Sequence, residues 1–388
     1  MKKVIVGMSG GVDSAVSAIL LKEQGYLVEG LFMKNWDSIT NNDIKGNSTL
    51  NDEVCPQEKD YNDAKKVCEL LNIKLHRIDF VKEYWDFVFT YFLNELKEGR
   101  TPNPDVMCNK YIKFDLFMKE ALKLGCDYIA TGHYARMING DLYKGLDYNK
   151  DQTYFLAQVP KEKFKNVLFP IGELNKKEVR EIALKYNLNV AKKKDSTGIC
   201  FIGERNFKKF LENYLPNQKG NIINLDTNEK VGEHTGLMYY TIGQRRGLNL
   251  GGNENRTFVV GKNLEKNELY VSENEELLLS DSCIIDNLNF LTDEKITSCN
   301  AKFRYRSNDI KVELEYLDNN QILVKYDSAK SVTPGQLCVL YLDDKCIGSG
   351  IIREVRKNNK KIWYLLWYLL IYTILQLTQR QKKYKIIL

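Results

Sequence analysis

The sequence has no Cys-x-x-Cys pair: its nine cysteines, at 55, 68, 108, 126, 200, 283, 299, 338 and 346, are odd in number and scattered. That argues against a secreted disulfide framework and leaves no local signature for zinc or an iron–sulfur cluster. Most are expected to be small buried hydrophobes. No secretory signal is legible either, because Met1 runs straight into KKVIVGMSGG without a long apolar stretch or a cleavage site, so a cytoplasmic location is the expectation. The longest apolar run, Ile362 to Leu377, has 16 residues against the roughly 20 a spanning helix needs; no membrane partner is expected. Charge of one sign is missing as well. Residues 357–388 hold seven Lys/Arg and no acid, leaving 50 basic against 51 acidic residues elsewhere, so an RNA partner must be argued from local patches. No internal repeat is present.

What remains is a globular composition, 43% hydrophobic and 28% charged with seven prolines, in a chain of 388 residues that allows two or three domains. KKVIVGM, YLVEGLFM, NIKLHRIDF and CDYIATGHY read as strands, alternating with the helical VDSAVSAILLKEQG, DYNDAKKVCELL and KFDLFMKEALKLG. That alternation predicts an α/β fold with a doubly wound parallel sheet over residues 1–205, ligands sitting at the carboxyl ends of its strands. The Asn-, Asp- and Ser-rich stretch between Trp36 and Tyr61 is expected to be a mobile loop. A small Gly-rich central domain is expected over 206–276. Short alternating runs such as AKFRYRS, IKVELEYL, QILVKYD and QLCVLYL predict an antiparallel β-barrel over 277–356. The tail 357–388 is expected to be an accessory.

GMSGGVDS, comprising Gly7, Met8, Ser9, Gly10, Gly11, Val12, Asp13 and Ser14, lies between the first strand and the first helix. Glycines that let backbone approach a ligand, two hydroxyls and the amides of a helix start make an anion site. Neither the Gly-Lys-Ser/Thr ending of a Walker loop nor the GxGxxG spacing is present. SGG-x-DS in this setting resembles the PP-loop ATP pyrophosphatases, which cleave ATP to AMP and pyrophosphate while adenylating a substrate oxygen.

FMKNWD, RTPNPDVMCNK, ATGHYAR, KDQTYFL, DSTGICFIGER, YYTIGQRRGL, RYR and TPGQ follow in order. Together over residues 1–356 they resemble the bacterial tRNA-specific 2-thiouridylases, which replace the C2 oxygen of the wobble uridine with sulfur. That resemblance implies ATP as co-substrate, bound by Gly7–Ser14, Met33 and Gly132, with Mg²⁺ accompanying the phosphates and no metal site of the protein's own. It implies Cys200 as persulfide carrier, Cys108 as nucleophile and Asp105 as general acid/base. The persulfide of Cys200 would attack the adenylated base, or Cys108 would first release hydrosulfide. Either route ends in a transient Cys108–Cys200 disulfide that a reductant reopens.

By the same resemblance Asn103, Pro104 and Asp105 face the reacting base of the anticodon loop. His133, Lys150, Asp151, Gln152, Arg304, Tyr305 and Gln336 touch the tRNA elsewhere. A persulfide sulfur-donor protein is the implied partner. From the residues alone, the prolines of TPNPDVMCNK read as a rigid turn aiming Cys108. RYR on an alternating strand offers two phosphate partners and a stacking ring, or merely a solvated face, and His133 could be a core histidine. An amide-forming PP-loop synthetase and a non-catalytic RNA-binding protein are the competing readings.

Overall fold

The computed structural model describes residues 1–195, 199, 202, 205–248, 250 and 256–362. Cys200 and residues 363–388 of the tail therefore lie outside the described residues. Among the described residues no helix is long and apolar enough to cross a membrane.

β1 (Lys3–Gly7) runs through the centre of the first domain with Val4, Ile5 and Val6 wholly buried, as a parallel strand covered on both faces requires. α1 (Val12–Glu23) leads to β2 (Leu27–Lys34), and α2 (Pro56–Leu70) to β3 (Leu75–Asp79). β4 (Tyr128–Ala130) follows the helical runs 81–97 and 104–123. β5 (Ala135–Ile138) and β6 (Asp141–Lys144) form a hairpin, and β7 (Val167–Leu168) closes the domain's sheet. Its order is β3-β2-β1-β4-β7, every neighbour parallel. Strand succession reverses between β1 and β4, and the crevice at that reversal is where such sheets take ligands.

The first part of the stretch after Trp36 is tied into the fold, which its composition does not predict. Asp43 is fully buried, accepting from Trp36 Nε1 at 3.1 Å and from Arg205 Nε at 3.0 Å. The Tyr214 hydroxyl donates to the Asn41 carbonyl at 2.9 Å, and Asn213 holds the Lys45 backbone at both its N–H and its C=O. Residues some 160 positions away in sequence thus supply the partners that water would otherwise give, and from Pro56 the segment is already helix α2.

The central domain pairs β8 (Gly220–Asn224), β9 (Glu229–His234), β10 (Phe258–Asn263) and β11 (Glu268–Ser272) in the order β10-β11-β8-β9. In the third domain, β12 (Leu279–Phe290), β13 (Ser298–Lys302), β14 (Ile310–Leu317), β15 (Gln321–Lys330), β16 (Leu337–Leu342) and β17 (Lys345–Lys357) are all antiparallel. Pairing of β12 with β17 closes them into a six-stranded barrel. β13 stops at Lys302, so RYR lies beyond the strand, where Arg306 takes φ +62°. Leu337, Val339, Tyr341 and Ile351 of the barrel share one buried cluster with Met33, Val106, Met107 and Cys108 of the first domain. Barrel and parallel-sheet domain are thereby packed through a common core.

Candidate active site

Gly7–Ser14 leaves β1 at the reversal point. Met8 and Val12 bury their side chains in the core on the α1 face, so they bring backbone to the loop. Gly10 has φ +71°, and a Cβ there would lie 2.2 Å from the Asp60 carbonyl oxygen. Only glycine fits. Gly11 caps α1 without any side-chain bond, which leaves the helix's first amides to an anion. The two hydroxyls hold one another: Ser9 Oγ lies 3.1 Å from Ser14 Oγ, which itself donates to the Gly11 carbonyl. From β4, Gly132 comes so close that a Cβ would sit 2.8 Å from Ser14 N. The donor set and the close approaches fit a nucleoside triphosphate.

Beside this loop stands an ionic chain in which Lys176 and Arg180 are the members that sequence reading left unassigned. Lys176 Nζ reaches both oxygens of Asp13 at 2.8 and 2.9 Å and Asp195 Oδ1 at 2.9 Å. The Tyr134 hydroxyl also donates to Asp13 at 3.0 Å. Asp195 further accepts from Lys150 at 2.7 Å and Arg180 at 2.8 Å. Burial works against its charge, but the lysine hydrogen bonds prevail and hold its carboxyl down at about 2. Lys193, seven residues before Cys200 in sequence, ties this segment to the loop: it donates to the Gly10 carbonyl at 2.9 Å, Asp60 at 2.8 Å and Asp63 at 2.7 Å. Lys176 opens the helix Lys176–Lys185, capped by Asn175 and Glu178. A lysine at a helix start opposes the dipole, and that is the signal by which it could have been found.

TPNPDVMCNK is the entry of a helix rather than a rigid turn. Asn103 caps it, its Oδ1 accepting the Asp105 N–H at 3.1 Å, and Pro104 fills the first position, where a missing N–H leaves nothing unpaired. From Cys108 to Leu116 the winding widens into a π-helix, a departure that often marks functional sites. Cys108 is wholly buried, while Asn103 and Asp105 are half-buried. Phe117 of the same run packs at Gly7, 3.5 Å from where a Cβ would stand. Asn109 donates to the Phe155 carbonyl and Lys110 to Gln158.

The residues expected at tRNA divide into two groups. His133 is buried against Phe114 and Phe169, its Nδ1 2.7 Å from Thr131 Oγ1; burial, aided by the charge of Lys113, pushes its proton affinity well down. Asp151 turns inward to Thr153 and the Gly145 N–H. Arg304 reaches the Ile242 carbonyl and Thr333, and Gln152 exchanges hydrogen bonds with the Tyr134 backbone. Gln336 holds the Thr101 carbonyl. These five fasten the fold in this conformation. Lys150 and Arg306 instead line an open cleft of 790 Å³ between the first domain and the barrel. Tyr305, under Arg306, meets Phe155 at a tilt of 52°, the ring centroids 4.5 Å apart.

Three family models match in succession: "tRNA methyl transferase HUP domain" over residues 2–204, "tRNA methyl transferase PRC-barrel domain" over 208–273 and "Aminomethyltransferase beta-barrel domain" over 280–352. A tRNA-specific 2-thiouridylase of Mycoplasmopsis synoviae is 56% identical over 368 residues, 94% of this chain and 99% of the relative. Another from Staphylococcus carnosus is 52% identical over 375 residues, 94% of this chain and 98% of the relative. A solved 4-thiouridine synthetase–RNA complex with bound ATP covers 55% of this chain and 50% of that chain at 12% identity and TM-score 0.32, too low to carry an argument.

Proposed function

The chain belongs to the tRNA-specific 2-thiouridylase family, and from that premise we propose how its own residues carry out the reaction. It uses ATP to replace the C2 oxygen of a tRNA uridine with sulfur. The observation that carries the proposal is the placement of an uncapped PP-loop at the reversal of a parallel sheet, with the Cys108 helix packed on the loop's first glycine.

A pyrimidine carbonyl oxygen leaves poorly, so it is first made a phosphate ester. Asp105 takes the N3 proton of the flipped wobble uridine, and O2 attacks the α-phosphorus of ATP, expelling pyrophosphate. Gly7–Ser14 and Gly132 hold the phosphates with backbone donors, and Met33 borders the nucleotide. Mg²⁺, bound with the phosphates, would supply neutralisation of their charge.

A persulfide on Cys200, loaded by a sulfur-donor protein, then attacks C2. AMP departs with the original oxygen. The Cys108 thiolate attacks Cys200 Sγ, the S–S bond breaks toward the transferred sulfur, and its electron pair completes the C=S bond as Asp105 returns the proton to N3. A Cys108–Cys200 disulfide is left, and a reductant reopens it. Asn103 and Pro104 border the base, while Lys150 and Arg306, with Tyr305 beneath Arg306, face the anticodon arm from the cleft. His133, Asp151, Gln152, Arg304 and Gln336 act on the RNA through the surfaces they hold in place.

The test is mass spectrometry of tRNA nucleosides after incubation of the full chain with ATP, Mg²⁺ and a persulfide source. Formation of 2-thiouridine with stoichiometric AMP is expected. Thiolation at another atom, or none, refutes the proposal, and AMP release without tRNA favours an amide-forming synthetase.

A further inference from the structure

Asn35 follows β2 in the FMKNWD motif, two residues beyond Met33. Its side chain is completely buried, and neither Nδ2 nor Oδ1 has a hydrogen-bond partner. Buried amides elsewhere in this fold are treated differently. Gln158, equally buried, gives Nε2 to the Asn287 carbonyl and Ser349 and takes Lys110 at Oε1. Asn41 accepts the Asp37 N–H. Asn109 lacks a partner at Oδ1 but still gives Nδ2 to the Phe155 carbonyl; among the described residues Asn35 alone has both ends of a buried side-chain amide unmatched, and a donor and an acceptor left over together point to a ligand.

Placement agrees. Asn35 stands at the carboxyl end of the strand next to β1, one strand from the reversal point. Its own N–H points to Gln57 Oε1 of α2 at 3.4 Å, one helical turn before Asp60, whose backbone abuts Gly10 of the PP-loop. Trp36, the next residue, is 2% exposed and belongs to the buried core of the first domain. The orphaned atoms also define the chemistry. A cation would engage Oδ1 alone and an anion Nδ2 alone. An acceptor and a donor side by side match a planar edge that presents the reverse pair, as adenine and uracil both do.

We propose that the Asn35 amide is a nucleobase reader of this active site, pairing through Nδ2 and Oδ1 with a base edge that offers adjacent donor and acceptor. The proposal deepens the 2-thiouridylase reading and rests on it for the two sources of such an edge, the adenine of ATP and the uracil of the tRNA uridine.

Asn35→Leu removes both orphaned atoms at nearly constant shape. Removing unpaired buried polar groups is stabilising and losing a ligand's hydrogen bonds is not, so thermal unfolding at or above the parent's temperature is expected together with about tenfold weaker binding of one ligand. Equilibrium dialysis with ATP alone and with unmodified tRNA alone identifies which: a loss in the ATP arm assigns adenine, a loss in the tRNA arm assigns uracil. Asn35→Asp, of the same shape but without the donor, must show the same loss if the leucine variant does not fold. Affinities for both ligands within about twofold of the parent overturn the proposal, whether or not stability changes. If the parent makes no 2-thiouridine while the binding loss is observed, the family-based mechanism fails and the reader role stands.

Discussion

Gln336 Nε2 donates to the Thr101 carbonyl at 2.6 Å, while Thr101 returns its own N–H to the Pro334 carbonyl at 2.9 Å. The barrel therefore grips both polar groups of the residue two positions before Asn103, across 235 residues of sequence. Gly335 between them has φ +92°, and a Cβ there would meet Thr101 N at 2.9 Å. The clamp makes the barrel a support for the wall that carries Asp105 and Cys108. Gln336→Leu is expected to lower kcat for thiolation about five- to tenfold, the worth of one well-made hydrogen bond, with the KM for ATP unchanged. Single-turnover thiolation at saturating tRNA measures it; an effect confined to tRNA affinity would assign Gln336 to the RNA directly.

Lys176 joins the PP-loop carboxylate Asp13 to Asp195, five residues before Cys200 in sequence. Lys176→Met leaves two partly buried carboxylates facing each other without their shared cation, an arrangement that costs more than the lost attraction alone. A rise in KM for ATP and a fall in kcat are both expected, about ten- to a hundredfold in kcat/KM. Lys176→Arg should restore a large part, since its charge reaches the same two acids. Equal tRNA affinity in all three proteins, read by filter binding, separates this from a general loss of structure.

Cysteines divide by environment. Burial pushes the thiols of Cys68, Cys283, Cys299 and Cys346 up to about 12, in keeping with small side chains packed in cores. Serine at Cys108 or Cys200 is expected to reduce 2-thiouridine formation by at least about a hundredfold, whereas serine at exposed Cys55 leaves it unchanged. Nucleoside mass spectrometry after a fixed reaction time gives the ratio.

The parallel sheet was legible because buried strands and amphipathic helices write their periods locally, and GMSGGVDS because its glycines answer to backbone geometry alone. The barrel was legible for the same reason. What escaped depended on distant partners. Asp43 reads as a loop acid until Arg205 arrives from across the chain. Arg304 reads as a phosphate ligand, and sequence alone does not tell that its guanidinium also meets the Ile242 carbonyl and Thr333. Lys176 is one lysine among many until Asp13 and Asp195 converge on it. The proline stretch misled for a local reason: Asn103-Pro104 is equally good chemistry for a turn and for a helix start.

Lys262 gives a pH-dependent test of the contact between the central domain and the same wall. Only 2% exposed, it donates to the Gly99 carbonyl at 3.0 Å, and burial brings its proton affinity from the ordinary 10.5 down to about 7. Between pH 7 and 10.5 the unfolded chain binds this proton and the folded chain does not, so the Lys262 contribution to stability improves as pH rises, at up to about 1.4 kcal/mol per pH unit. Below pH 7 both states carry the proton and its penalty is constant. The buried thiols act in the opposite sense at high pH, ionising in the unfolded chain first, so the parent's profile alone does not isolate the lysine. The difference between Lys262→Met and the parent does. Methionine keeps the stem packed and removes the charge, and its advantage over the parent should be level from pH 6 to 7 and then shrink as pH rises to 9. Urea unfolding at each pH supplies the difference. An advantage independent of pH across that range would mean that the ammonium stays charged in the fold, held by the Gly99 carbonyl, and that the wall before Thr101 is anchored by a cation rather than by a neutral amine.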